Sequence, residues 1–189
     1  RRGKSRGLRW GITKAEREKY RQMLSTLHLG LEDRLTSKVG LLSGGQRQAI
    51  TLLMASIQKP KLLLLDEHTA ALDPKTAAKV LEISDQIISE NHLEEGEFVT
   101  VIGGNGAGKS TTLNAVAGVW PVDSGKIYIG GEDVTKLSEH RRAQYLGRVF
   151  QDPMTGTATT MSIEENMAIA ARRGKSRGLR WGITKAERE

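Results

Sequence analysis

A glycine-rich segment in the second half of the chain has the residue types and spacing that hold nucleotide phosphates. It fits the pattern G-x-x-x-x-G-K-S and comprises Gly103, Gly104, Asn105, Gly106, Ala107, Gly108, Lys109 and Ser110, followed by Thr111. Glycines let the backbone curl until successive amides point at phosphate oxygens. We expect Lys109 to reach the β- and γ-phosphates and Ser110 to bind Mg²⁺, so ATP with Mg²⁺ is the predicted ligand. The alternative interpretation is a glycine-rich turn that binds nothing.

A pair of carboxylates follows a short apolar run and forms a second candidate site. Four leucines at residues 62–65 precede Asp66 and Glu67, which is the Walker B pattern of a strand with a carboxylate at its carboxyl end. We predict that Asp66 holds Mg²⁺, directly or through water. Glu67 is the predicted general base that polarises the attacking water. A buried strand that ends in aspartate without binding a metal is the alternative.

A third segment places a serine and two glycines at the expected start of a helix. It consists of Ser43, Gly44, Gly45 and Gln46. Serine is a favourable N-cap, and the glycines permit close backbone approach, so this helix N-terminus could bind phosphate. Two such sites in one short chain predict a γ-phosphate that is held from both sides.

These segments together resemble the ATP-binding cassette (ABC) ATPases. The family signature LSGGQ stands intact at residues 42–46, residues 68–73 are similar to the D-loop, and residues 149–153 look like the Q-loop. The resemblance implies a P-loop NTPase core of three layers with a parallel sheet, joined to a helical subdomain. It also implies a head-to-tail dimer, in which the P-loop (Walker A) of one subunit and the signature of the other enclose ATP.

The resemblance further implies a role in transport. Gln151 would sense the attacking water as a catalytic residue, contribute to the Mg²⁺ site and lie near a membrane permease. The implied protein is the ATPase subunit of a bacterial importer, cytoplasmic and peripheral on the inner face of the membrane, which couples ATP hydrolysis to transport. The chain has no cysteine, which excludes disulfides and thiolate metal sites.

The two ends of the chain have the same sequence. Residues 1–18 recur without a mismatch as residues 172–189, and each copy carries a net charge of +5. The segment between them carries −3, although the whole chain carries +7. The basic excess therefore comes from the duplication, and we expect no nucleic-acid partner.

The duplicated segments allow three interpretations. They can form a solvated face or part of the helical subdomain. They can act as a domain-swap device, in which the C-terminal copy of one molecule takes the place of the N-terminal copy in another. They can also bind nucleic acid through arginine and lysine interleaved with Trp10 or Trp181.

The order of the motifs departs from the family order. The family has P-loop, Q-loop, signature, Walker B and then a switch histidine, whereas this chain has signature, Walker B, P-loop and Q-loop. Joining the end of the chain to residue 19 gives a closed circle of 171 residues in family order. This predicts a circularly permuted and shortened domain, engineered or recombined, without the switch-histidine strand and the adenine-stacking aromatic. The alternative to an ATP-binding domain is a structural or domain-swapping chain without ATPase activity.

Apolar runs alternate with amphipathic segments and predict an α/β fold that positions these motifs. Helices are expected at residues 13–27, from 43, from 74 and at 109–117, 139–145 and 162–171, with strands at 61–65, 98–102, 126–129 and 148–150. We predict that residues 61–153 form the P-loop core, with Walker B, Walker A and Q-loop. Residues 1–60 and 154–189 are predicted to form the helical subdomain that carries the signature.

Two predictions concern packing. The helix that begins at Pro74 is expected to turn an apolar face to the core, formed by Val80, Leu81, Ile83, Ile87 and Ile88. Because the family's histidine strand is missing, strands 61–65 and 98–102 are predicted to pair directly as a right-handed βαβ unit. In that packing Asp66 could lie displaced from Lys109 by the width of a strand.

Overall fold

Six helices and four strands make up the described part of the chain, which in this computed structural model comprises residues 11–66, 69, 72–90 and 106–174. The helices are α1 (Lys14–Ser25), α2 (Gly44–Ser56), α3 (Pro74–Glu90), α4 (Lys109–Ala117), α5 (Glu139–Arg142) and α6 (Ile163–Ala171), and a 3-10 turn covers Val39–Leu41. The strands are β1 (Leu62–Leu65), β2 (Tyr128–Ile129), β3 (Glu132–Asp133) and β4 (Leu146–Val149). The predicted strand at 98–102 lies outside the described residues.

Capping side chains explain where several helices begin. The hydroxyls of Thr13, Ser43 and Ser162 each accept a hydrogen bond from the backbone N–H three residues later, and the side chain there accepts one in return. These reciprocal bonds satisfy amides that have no partner within the helix. At α3, Asp73 Oδ1 accepts from the backbone N–H of Thr76 at 3.1 Å. Hydrogen bonds from Thr76 lower the pKa of Asp73, which favours the charged cap.

The strands form two separate pairs. β1 and β4 run parallel, with Leu62 opposite Leu146 and Leu65 opposite Val149. β2 and β3 form a short antiparallel hairpin, whose two connecting glycines have positive φ. The predicted strand at 126–129 is therefore shorter than expected. The strand predicted at 148–150 corresponds to β4, which begins two residues earlier, at Leu146, and ends at Val149, where its pairing with β1 ends.

β1 separates two apolar clusters. The side chain of Leu64 belongs to a cluster with Ala117 and Leu146, whereas Leu63 and Leu65 pack against the larger cluster of the helices. Alternate residues of a strand point to opposite faces, so β1 contributes to both clusters. Helices on both sides of a parallel pair are the layered α/β arrangement that the sequence predicts.

One prediction about α3 is wrong. Val80, Ile83 and Ile87 are buried as expected, but the side chain of Leu81 is 47% exposed. The three buried residues follow the helical repeat along one face, and Leu81 lies about 100° around the axis from Val80. Ser84 takes the buried place instead, and its hydroxyl donates to the Val80 backbone oxygen at 2.8 Å.

Within the described residues, no helix combines the length and apolar character that crossing a bilayer requires.

Candidate nucleotide site

The described half of the P-loop leads directly into α4. Gly106 and Gly108 have φ of 84° and 85°, a left-handed conformation that glycine adopts without strain. Gly108 is the N-cap of α4 and supplies no side-chain hydrogen bond to the helix. The first amides of α4 therefore lack a side-chain cap, which is the usual arrangement where a helix N-terminus receives phosphate.

Two of the three predicted magnesium ligands lie side by side. The hydroxyl of Ser110, in the first turn of α4, donates to Asp66 Oδ1 at 3.3 Å. Asp66 follows the last residue of β1, and its backbone N–H donates to the Val149 oxygen at 3.2 Å. The strand pair therefore fixes the aspartate at the sheet edge, and α4 brings the serine to it.

This geometry fits Mg²⁺. The ion takes oxygen ligands at about 2.0–2.1 Å in octahedral geometry, so neighbouring ligands lie about 3 Å apart. The 3.3 Å between the Ser110 hydroxyl and the Asp66 carboxylate is close to that separation. Magnesium sites at nucleotides commonly use one or two protein oxygens together with phosphates and water. The prediction that Asp66 could lie a strand's width away from Lys109 is wrong, because Asp66 contacts Ser110, the next residue of α4.

The signature segment starts α2 and packs against α3. The Ser43 hydroxyl accepts from the Gln46 backbone, and the Gln46 side chain accepts from the Ser43 backbone, both at 3.2 Å. Gly45 is buried, and a Cβ at this position would collide with the methyl group of Thr76. Close packing against α3 thus requires a glycine here. The exposed Gly44 and Ser43 leave the start of the helix open to solvent.

Gln151 lies at the same edge of the sheet as Asp66. It follows β4 by two residues, and Asp66 follows β1 by one, while Val149 and Leu65 are register partners. Parallel strands end at one edge, so the Q-loop begins beside the candidate magnesium site. The Gln151 side chain is exposed.

The remaining predicted residues divide into two groups. Lys109, Ser110 and Thr111 open α4 in the predicted order, with Lys109 half-buried and the other two exposed; Ala107 precedes them in the exposed part of the loop. The first P-loop residues and the predicted general base lie outside the described residues: Gly103, Gly104, Asn105 and Glu67.

Sequence reasoning missed two polar residues that support the site. Gln48 of α2 is fully buried, and its amide donates to the Phe150 backbone oxygen at 3.4 Å. This bond joins the signature helix to the start of the Q-loop. Arg148 of β4 donates to Asn114 Oδ1 at 2.6 Å, which joins the strand to α4. Neither residue forms a motif, so no signal in the sequence distinguished it.

A buried arginine at the other end of α4 was also missed. Arg142 is 2% exposed, and burial lowers its pKa. Its guanidinium donates to backbone oxygens at 2.7–3.0 Å, and these belong to Ala115, Val116, Thr135 and Leu137. Two of these carbonyls lie in the last turn of α4, so the arginine satisfies the helix C-terminus.

A protein-family model covers most of the chain. The sequence model of the ABC transporter family matches residues 4–70 and 89–188. This chain belongs to the ABC transporter family. The ABC domain has the P-loop NTPase α/β fold, and the described residues supply its helices and a parallel strand pair.

Transport proteins are among the relatives of this ABC chain. A tyrosine transport ATP-binding protein of Clostridioides difficile is 44% identical over 88 residues, which are 47% of this chain and 35% of that protein. A phosphonates import ATP-binding protein of Rhodopseudomonas palustris is 40% identical over 84 residues, 44% of this chain and 31% of that protein.

A longer match covers more of the chain at lower identity. A spermidine/putrescine import ATP-binding protein of Hahella chejuensis is 31% identical over 119 residues, 63% of this chain and 29% of that protein. The ABC chain spans about a third of the length of these curated relatives. No solved structure matches it.

Proposed function

We propose that this chain is the ATP- and Mg²⁺-binding domain of an ABC transporter ATPase. The observation that carries the proposal is the 3.3 Å between Ser110 Oγ and Asp66 Oδ1. These residues belong to different motifs, 44 positions apart, and here the Walker B aspartate precedes the P-loop serine. Their approach supports a magnesium site that survives the altered order of the motifs.

Each part of the site has a defined task in this proposal. The P-loop amides and Lys109 bind the triphosphate, and Ser110 and Asp66 hold the magnesium ion. Bound Mg²⁺ neutralises charge on the phosphate oxygens. Glu67 is proposed to accept a proton from the attacking water, and Gln151 to orient that water at the sheet edge.

We also propose that the domain is circularly permuted and divided into two parts. The family matches two separate stretches: residues 4–70 hold the signature and Walker B, and residues 89–188 hold the P-loop and Q-loop, which come first in the family order. Buried residues from both ends of the chain share one cluster, among them Leu24, Leu52 and Met167. This supports a helical subdomain built from residues 1–60 and 154–189, beside a P-loop core at 61–153.

The proposed partners are ATP, a second copy of the chain and a membrane permease. The exposed Ser43 and Gly44 at the start of α2 are placed to receive the γ-phosphate of a nucleotide bound by a second subunit. The transport and import names of the relatives support a permease partner and a position on the inner face of the membrane.

The competing possibility is a structural or domain-swapping chain whose motifs no longer converge. It predicts that the Walker B aspartate and the P-loop serine are apart. The Asp66 and Ser110 side chains are in hydrogen-bonding contact, which favours the nucleotide-binding function. Hydrolysis also depends on residues outside the described ones, Glu67 among them.

Titration with fluorescent ATP in the presence of Mg²⁺ tests the proposal. We expect saturable binding at micromolar concentrations that Lys109→Ala abolishes, because this residue supplies the charge that faces the phosphates. Lys136→Ala removes an exposed lysine elsewhere and serves as the matched control. A folded wild-type chain without saturable binding would rule out the nucleotide function.

A further inference from the structure

The first copy of the duplicated segment, residues 1–18, docks its second half on α6. Ile12 is 8% exposed, within the main apolar cluster. Arg17 donates to both carboxylate oxygens of Glu164, at 2.6 and 3.3 Å. The Glu164 side chain is fully buried, so it requires this partner. The docking site therefore recognises an arginine and an isoleucine at a fixed spacing.

The second copy, residues 172–189, begins beside this docking site. The Arg172 guanidinium donates to the Gly11 backbone oxygen and to Glu16 Oε1. Arg173 donates to the Ala55 backbone oxygen at 3.1 Å. The start of the second copy thus lies next to the second half of the first copy.

We propose that the docking site of residues 11–18 is also a binding site for residues 182–189 of the same chain. The second copy carries the same groups in the same order: Ile183 matches Ile12, and Arg188 matches Arg17. Two identical segments therefore compete for the buried Glu164.

The connection is long enough for this exchange. Gly182 lies ten positions after Arg172, and an extended chain spans about 3.3 Å per residue. Arg172 already contacts Gly11, whose place Gly182 would take. Because the connection is short, the effective concentration of the second copy at the site is in the millimolar range.

Helix continuity favours the first copy. Residues 14–18 continue without interruption into the rest of α1, which buries Tyr20 and Leu24. Binding of the second copy requires residues 14–18 to separate from this helix, so the first copy is the major occupant. Weakening the first copy shifts the balance toward the second.

Single and double arginine variants test the exchange by thermal unfolding. Arg188→Ala alone leaves the melting temperature unchanged, because Arg17 still fills the site. Arg17→Ala lowers it, and Arg188→Ala in that background lowers it further, by roughly 2 °C or more. The matched control is Arg180→Ala in the same background. It removes a charge from the second copy outside residues 182–189, and it should not lower the melting temperature further.

Two further measurements keep the result decisive. If Arg17→Ala does not fold, Arg17→Lys provides a milder background for the same comparison. The additional decrease in melting temperature caused by Arg188→Ala must be independent of protein concentration, and light scattering must show a monomer. A silent Arg188→Ala in the weakened background overturns the proposal, and an effect that appears only in dimers overturns its assignment to a single chain.

Discussion

Arg142 Nη1 donates a hydrogen bond to the backbone oxygen of Ala115 at 2.7 Å, and so joins the segment before β4 to the last turn of α4. The same helix starts at the P-loop lysine, so the guanidinium secures the end of α4 opposite the proposed phosphate site. Gly118 allows this close approach, because a Cβ there would lie 2.8 Å from Arg142 Nε. The position of the P-loop helix thus depends on a residue far from the proposed nucleotide site.

Replacing Arg142 by alanine is expected to destabilise the protein by about 3 kcal/mol. The change leaves several partly buried carbonyls without a donor, and each unsatisfied group costs roughly 1–3 kcal/mol before water enters. Urea unfolding measures the effect. The neighbouring Arg141 is exposed, and Arg141→Ala should stay within about 0.5 kcal/mol of wild type. Equal effects at both positions would contradict the role of Arg142.

The signature glycine Gly45 is expected to be required for packing as well as for any approach to phosphate. A methyl group in Gly45→Ala meets Thr76 Cγ2, and overpacking of this kind costs about 1–3 kcal/mol. Thr76→Ser removes the obstructing methyl, so the double variant should recover most of the loss in urea unfolding. Gly44→Ala, whose Cβ meets only a flexible leucine at 3.3 Å, is the milder control.

Local features of this chain could be predicted from the sequence. The helices predicted to begin at residues 13, 43 and 162 do begin there, at the capping boxes of Thr13, Ser43 and Ser162, because a capping box depends on residues only three positions apart. The P-loop and Walker B residues were recognisable for the same reason, because each motif is a short continuous pattern. Their roles as ligands stay predictions from these motifs, and the distance between them could not be predicted.

Features that depend on tertiary packing could not be predicted. Arg142 stands in a basic run at 140–142 that has the composition of a solvated surface, and only the approach of α4 buries it. The contact between Asp66 and Ser110 depends on where β1 and α4 lie in the layer, which motif spacing does not determine. Leu81 was misplaced because an apolar residue beside a buried face has the same hydropathy as one within it.

The Mg²⁺ dependence of ATP binding tests the pair at the sheet edge. Asp66→Asn removes the charge from one oxygen ligand, and we expect the affinity for ATP at saturating Mg²⁺ to fall by at least about tenfold, since charged contacts contribute roughly 1.5–3 kcal/mol. Without Mg²⁺ the variant and wild type should bind ATP equally weakly. The exposed Asp133→Asn on β3 is the control, and a comparable loss there would argue against a metal role for Asp66.

Because of Tyr20, the stability of this fold is expected to decrease with rising pH in the alkaline range. It is 2% exposed, and burial, with a contribution from Glu16, raises its pKa to about 12. The unfolded chain releases the phenol proton near pH 10. Its contribution to stability is therefore complete below pH 10 and is lost as the pH rises towards 12.

Tyr20→Phe should remove this part of the pH dependence. Between pH 10 and 12 the unfolding free energy of the wild type is expected to fall by roughly 2 kcal/mol more than that of the variant. Lysines titrate in the same range, but they are common to both proteins and cancel in the difference. Tyr128 is 57% exposed, so Tyr128→Phe should follow the wild-type curve. Parallel curves for wild type and Tyr20→Phe in urea unfolding at each pH would show that burial does not suppress ionisation of this phenol.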